Sequence, residues 1–162
     1  MKIFIGADHR GFRLKNKIRD FLKKEGYSTI DLGTHQDEVP CDYPQISYEV
    51  ASRVAAAKGS RGILVCLTGI GNAIVANKVR GVYAALCYNR EAASLSREHN
   101  NANVLVLGAK FVSPRELMEI LKTWLKTPFA GGRHLRRVKQ IRAIERKMQR
   151  DIKRSQGHQS QV

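Results

Sequence analysis

The stretch at 63–72, Ile-Leu-Val-Cys-Leu-Thr-Gly-Ile-Gly-Asn, restricts the fold more than any other part of this chain. Residues 63–67 form a short, unbroken apolar run with β-branched Ile63 and Val65, which suits a strand buried on both faces of a parallel sheet. Gly69 and Gly71 let the backbone turn sharply, and residues 72–79 carry helical spacing. A strand that runs through a glycine turn into a helix leaves backbone N–H groups aimed above the strand end, an anion site by construction. Cys66 lies at the floor of that turn, with the Thr68 hydroxyl beside it. A cysteine in an apolar strand is more often a small core residue, and a glycine turn alone says little. Their coincidence marks a candidate reactive site.

The same alternation recurs along the chain. Strand-like runs occupy 2–6, 28–32, 63–67, 82–87 and 104–107. Helical spacing links Leu14, Ile18, Phe21 and Leu22, then Ile46, Val50 and Val54 within 45–58, and marks 90–98 and 114–126. Gly26 ends the first helix, and a loop fills 33–44. Five strands alternating with helices predict an α/β fold: a three-layer α/β/α sandwich on a five-stranded parallel sheet, Rossmann-like, with a C-terminal helical extension. A length of 162 residues, 43% of them hydrophobic and 27% charged, suits one domain at 1–150. The polar residues at 151–162 are expected to form a disordered tail.

No run approaches the ~20 apolar residues of a membrane span, and the apolar start after Met1-Lys2 is too short for a signal peptide. Cys41, Cys66 and Cys87 are spaced like neither a metal knot nor a disulfide framework, so free thiols and a cytoplasmic location are expected. The net charge of +15 is concentrated late: residues 133–154 hold ten Lys or Arg against Glu145 and Asp151. Such a run reads as a polyanion- or membrane-facing surface, or as a solvated helix lending a few cations to a phosphate.

Ligands of parallel α/β sheets bind beyond the carboxyl ends of the strands. The polar residues expected there are Asp8 and His9, Thr68, Asn89 and Arg90, and Lys110. His99, Asn100 and Asn101 follow the fourth helix. They reach that rim only if the loop doubles back or if they enter a neighbouring subunit.

Several ordered pieces resemble the type B ribose-5-phosphate isomerases and their relatives acting on allose and galactose 6-phosphates. They are Gly6-Ala7-Asp8-His9-Arg10-Gly11, Asp42-Tyr43-Pro44, Cys66 with Thr68-Gly69-Ile70-Gly71, Ala76-Asn77-Lys78, the run from Ser96 through Val104, and Gly131-Gly132-Arg133-His134 with Arg137. The resemblance covers about residues 2–147. It implies an aldose–ketose isomerase of sugar phosphates that needs neither metal nor cofactor, a homodimer or dimer of dimers with shared sites, and a place in pentose phosphate metabolism.

Carried over residue by residue, the resemblance makes Cys66 the base that removes the proton beside the carbonyl. Thr68 moves a proton between the sugar oxygens, and the amides of Gly69, Ile70 and Gly71 hold the enediolate oxygen. His99, from the partner subunit, is the acid of ring opening. Asp8, His9 and Asn100 position hydroxyls or the ring oxygen, Tyr43 is a candidate substrate contact, and Arg133 and Arg137 grip the phosphate. Arg136 is turned about 100° from Arg137 on a helix, so only one of that pair reaches the site.

These residue types suit the chemistry. Preorganised N–H donors stabilise a developing oxyanion, a helix start and nearby cations activate a thiol, histidine serves ring opening near neutral pH, and arginine forks bind phosphate. Three positions depart from the family pattern: Leu67 stands where Gly is usual, Lys110 where Arg is common, and Asn72, a good N-cap residue, where a small or apolar residue is usual. The galactose 6-phosphate relatives tend to lack the cysteine, so Cys66 argues for ribose 5-phosphate or allose 6-phosphate. The competing reading is a polyanion- or nucleic-acid-binding protein on an isomerase-like scaffold, suggested by the charge and by Leu67.

Overall fold

Period-two alternation splits the apolar strand residues between two cores. In the computed structural model, which describes residues 1–159, strand β1 (Lys2–Ala7) sends Ile3, Ile5 and Ala7 to one face and Phe4 to the other. Strand β3 (Arg61–Cys66) does likewise with Ile63 and Val65 against Leu64. The first face is covered by α1 (Phe12–Lys24), α4 (Arg90–Asn100) and α5 (Pro114–Lys126). The second is covered by α2 (Tyr43–Ala56) and α3 (Ile70–Ala76). With β2 (Ser28–Asp31), β4 (Ala84–Leu86) and β5 (Val104–Gly108), all strands pair in parallel in the order β2-β1-β3-β5-β4. This is the expected α/β architecture, closed by α6 (Gly132–Gln159).

The two edges of the sheet are secured by polar side chains. Lys15, fully buried on α1, donates to both carboxylate oxygens of Asp31 (2.8 and 2.7 Å) and to the Thr34 carbonyl (2.6 Å), fastening β2 and the loop after it. At the other edge, the Asn77 amide donates to the Ala84 carbonyl and accepts from the Ala84 N–H, both at 2.9 Å. Asn103 donates to the Gly81 carbonyl (2.8 Å) and accepts from the Tyr83 N–H (2.8 Å). The Val82 N–H is taken by the Val79 carbonyl and the Tyr83 N–H by Asn103, and β4 is three residues long rather than the six expected at 82–87.

Part of the excess positive charge is structural. The guanidinium groups of Arg61 and Arg97 lie 5.0 and 5.8 Å from the ring centroid of fully buried Trp124. Arg61 donates to the carbonyls of Trp124 and Leu125 (2.9 Å each), the C-terminal turn of α5, where cations are favoured. Burial, and then Arg61, push the Arg97 pKa down to about 10.

Helix α2 lies two residues earlier than the expected 45–58, and three other helices also differ from expectation. Gly69, not Asn72, precedes the first turn of α3, so Asn72 is a buried helical residue rather than a cap. Helix α4 extends through Asn100 and ends on Asn101 at φ 51°, a conformation asparagine tolerates. Helix α6 continues through Gln159, across most of the 151–162 stretch set apart as a disordered tail; residues 160–162 lie outside the described residues. Between Gly132 and Gly157 the chain has no Gly or Pro and consists mostly of good helix formers. Glu145 accepts from the Gly81 N–H (3.2 Å), and Gln149 accepts from Arg80 (2.8 Å), tying α6 to the body. No helix among the described residues is long and apolar enough to cross a membrane.

Candidate active site

The end of β3 positions Cys66. Its side chain shares the parity of Leu64, is nearly buried, and its Sγ accepts the Gly69 N–H at 3.1 Å. Gly69 adopts φ 81°, a conformation that disfavours any side chain, and this lets the chain fold back over the sulfur. Thr68 Oγ1 accepts from the Ile70 N–H at 3.4 Å. The amides of Ile70, Gly71 and Asn72 belong to the first turn of α3, where no earlier carbonyl is in reach. Gly71 is required by close approach: a Cβ there would lie 2.5 Å from the Tyr43 hydroxyl oxygen. The Tyr43 ring therefore rests directly against the glycine turn, and Pro44 sits in the first turn of α2, where it costs no hydrogen bond.

The end of β1 lies alongside. Asp8 is buried and its Oδ1 accepts from the Gly11 N–H at 2.9 Å, holding the turn that leads into α1. His9 Nδ1 lies 3.2 Å from the Cys41 N–H and 3.3 Å from the Cys41 carbonyl oxygen, pairing with that backbone as acceptor or as donor according to its tautomer. With Nδ1 engaged by Cys41, Nε2 is the edge His9 leaves for a ligand. Lys110 is exposed at the end of β5, and its N–H donates to the Leu67 carbonyl at 3.0 Å. Leu67 is half-buried. Asn89, expected on the rim, instead caps α4 by accepting the Ala92 N–H at 2.8 Å.

His99, Asn100, Arg133 and Arg137 are elsewhere. Helix α4 begins near the carboxyl ends of the strands and runs back along the sheet, so His99 lies about 14 Å further down, at 1.5 Å per residue. Its helix ends at Asn100, and β5 starts four residues on, at Val104. The carbonyl of Glu98 accepts the Ala130 N–H (3.1 Å), bringing the start of α6 to this lower pole. There the His99 and His134 rings stack, with centroids 4.0 Å apart and planes 5° from parallel. Arg133 Nε donates to His134 Nε2 at 3.4 Å. Arg133 and Arg137 are exposed, one helical turn apart, and neither forms an ion pair among the described residues. His134 is held below the ordinary histidine pKa by burial, and then by His99, Arg133 and Arg137.

The expected site is thus divided. One chain carries an upper half with Cys66, Thr68, the glycine turn, Asp8, His9, Tyr43 and Lys110. Its lower half, at the opposite pole, holds His99, Asn100, Arg133 and Arg137. The remaining thiols are off this path: burial pushes Cys87 up to about 11, which leaves it an unreactive thiol, and Cys41 contacts His9 through its backbone. No group of three or more His, Cys, Asp or Glu able to hold a metal ion occurs among the described residues.

The family profile described as Ribose/Galactose Isomerase matches residues 3–141. The chain belongs to this family. Within it, the ribose-5-phosphate isomerase B of Escherichia coli K12 is 42% identical over 146 residues, covering 90% of this chain and 97% of that protein. The Clostridium thermocellum ribose-5-phosphate isomerase B structure superposes with a TM-score of 0.88 at 51% identity, covering 91% of this chain and 99% of that one. A Mycoplasma genitalium ribose-5-phosphate isomerase B structure with bound ribulose 5-phosphate gives 0.86 at 41% identity, covering 90% and 96%. Ribose/galactose isomerase family membership gives the arrangement its chemical context, but sequence reasoning assigned no role to His134, although it lies inside the quoted Gly131-Gly132-Arg133-His134 piece.

Proposed function

We propose that this protein interconverts ribose 5-phosphate and ribulose 5-phosphate through an enediolate, with Cys66 as the base. The observation that carries the reading is the Cys66 sulfur beneath the glycine turn, accepting the Gly69 amide at the start of α3, where the first-turn amides have no helical carbonyl to bond. The ligand-bound Mycoplasma genitalium relative supports the same substrate pair. In this reading Cys66 abstracts the proton beside the carbonyl, and the amides of Gly69, Ile70 and Gly71 stabilise the charge that moves to oxygen. Thr68 relays a proton between the two sugar oxygens. His9 and Tyr43 orient hydroxyls, Asp8 holds the turn beneath them, and Lys110 adds positive charge at the rim.

The division of the site leads to the second part of the proposal. Two copies of the chain meet so that the lower half of one, with His99, Asn100, Arg133 and Arg137, completes the upper half of the other. His99 then opens the sugar ring as an acid, and the two arginines bind the phosphate. Three free thiols suit a reducing compartment such as the cytoplasm.

Turnover of ribose 5-phosphate by the purified protein, run in deuterium oxide, tests the reaction: label enters the substrate carbon during isomerisation. Cys66→Ala and Cys66→Ser are expected to lower kcat by about 10²–10⁴-fold. A loss below about tenfold removes Cys66 from the role of base. Parallel assays with allose 6-phosphate and galactose 6-phosphate decide the substrate, a comparison that Leu67, in place of the usual glycine, makes informative.

A further inference from the structure

We propose that His134 is a positioning residue that serves both halves of the chemistry, holding the His99 ring by stacking and orienting Arg133 through its Nε2. The inference rests on the reading above, in which His99 is the ring-opening acid and Arg133 a phosphate ligand. Nothing in that reading uses His134, yet it is one of few polar side chains at the lower pole that is almost fully buried, at 7% exposure.

Two features of its geometry converge. The parallel rings, with centroids 4.0 Å apart, are in stacking contact, the face of one covering the face of the other. That contact fixes the plane of the His99 ring against a buried neighbour. Independently, the Arg133 guanidinium can only donate, so the bond from its Nε to His134 Nε2 requires a lone pair there and places the His134 proton on Nδ1.

The groups facing His134 agree. Helix α4 contributes His99 and Glu98, and α6 contributes Arg133 and Arg137; the 127–131 connection carries no titratable side chain. Burial and the cationic neighbours oppose protonation of His134 more than Glu98 favours it. His134 is therefore the ring of the pair that stays neutral. It offers one face to His99, half-buried and facing outward, and one edge to Arg133. Acid and phosphate clamp are set at a fixed separation by one side chain.

Two substitutions separate the functions. His134→Gln keeps an oxygen for Arg133 but removes the aromatic face; kcat for ribose 5-phosphate is expected to fall about 2- to 10-fold, with the pH limb of His99 displaced and KM little changed. His134→Phe keeps the face but removes the acceptor; KM is expected to rise about 2- to 10-fold, with kcat less affected. In nitrogen-15 spectra of the wild-type protein His134 should show the Nδ1–H tautomer. The ring-current shift of the His99 Cε1 proton should survive in His134→Phe and vanish in His134→Gln. An Nε2–H tautomer in the wild type overturns the proposal even if neither variant folds. So does wild-type kcat, KM and His99 shift in both variants, provided His99→Asn loses activity. Full activity in His99→Asn instead overturns the role given to His99.

Discussion

If each active site draws Cys66 and His99 from different copies, two dead variants should rebuild a live enzyme. The perturbation is to mix Cys66→Ala protein with His99→Asn protein after each has been shown to be inactive alone. The structure sets the magnitude. Within one chain the two residues lie at opposite poles of the sheet, Cys66 at the carboxyl end of β3 and His99 about 14 Å down α4 from its start, so neither variant alone retains a complete site. In a two-fold dimer each mixed pair contains one site with both residues intact and one with both altered. Random exchange makes about half the dimers mixed, so about one quarter of wild-type activity should return. The starting activity of each variant is lower by about 10²-fold or more, which makes the recovery large. Differently tagged variants, exchanged and purified as mixed dimers, should reach about half of the wild-type specific activity, because one of two sites is intact. Absence of recovery in verified mixed dimers would refute the shared site and place both groups in one chain.

Other consequences can be measured separately. Arg133→Ala or Arg137→Ala should mainly raise KM, because phosphate is held equally in ground and transition states; a charge-assisted hydrogen bond of roughly 1.5–3 kcal/mol corresponds to about 10- to 150-fold. Removing residues 151–162 should leave kcat and KM unchanged; loss of activity there, with none in Arg137→Ala, would show the phosphate site to be misplaced. Gly71→Ala should drive the Tyr43 ring from the glycine turn and lower kcat, and pairing it with Tyr43→Ala should recover solubility and melting temperature without restoring wild-type kcat. Because the His134 pKa is lowered on folding, the unfolded chain takes up a proton below about pH 6.5 that the folded chain resists. Stability should therefore fall as pH drops from 7 to 5, and melting curves of His134→Phe should show a smaller drop than wild type.

Much of the fold could be read from periodicity because each strand is short, apolar and followed by a helix of different period. The Cys66 turn was legible for a local reason: strand, glycine turn and helix are contiguous, and their geometry follows from their order. Boundaries set by distant side chains were not. The length of β4 depends on Asn77 and Asn103, which bond backbone seven and twenty residues away. Asn72 has the residue type of a cap, but Gly69 with its positive φ begins α3 first. The extent of α6 reflects helix-compatible composition that polarity alone disguised as a tail. The division of the site into two poles needed the direction of α4, which the position of His99 after a helix hinted at. The stacking partner of His99 lies thirty-five positions away in sequence, beyond the reach of any local pattern.

Asn77 also has a bearing on how copies of this chain can come together. A terminal strand with vacant backbone groups is a template on which another chain can grow, by pairing or by runaway fibre formation. Here the outermost backbone groups of Ala84 are already taken by a primary amide that imitates a neighbouring strand on both its donor and its acceptor side. Continuation of the sheet from one molecule into the next is therefore discouraged at the β4 margin. Association is thereby steered toward contacts between helices and loops, which can close on themselves, and away from the open-ended lateral growth that a bare margin invites.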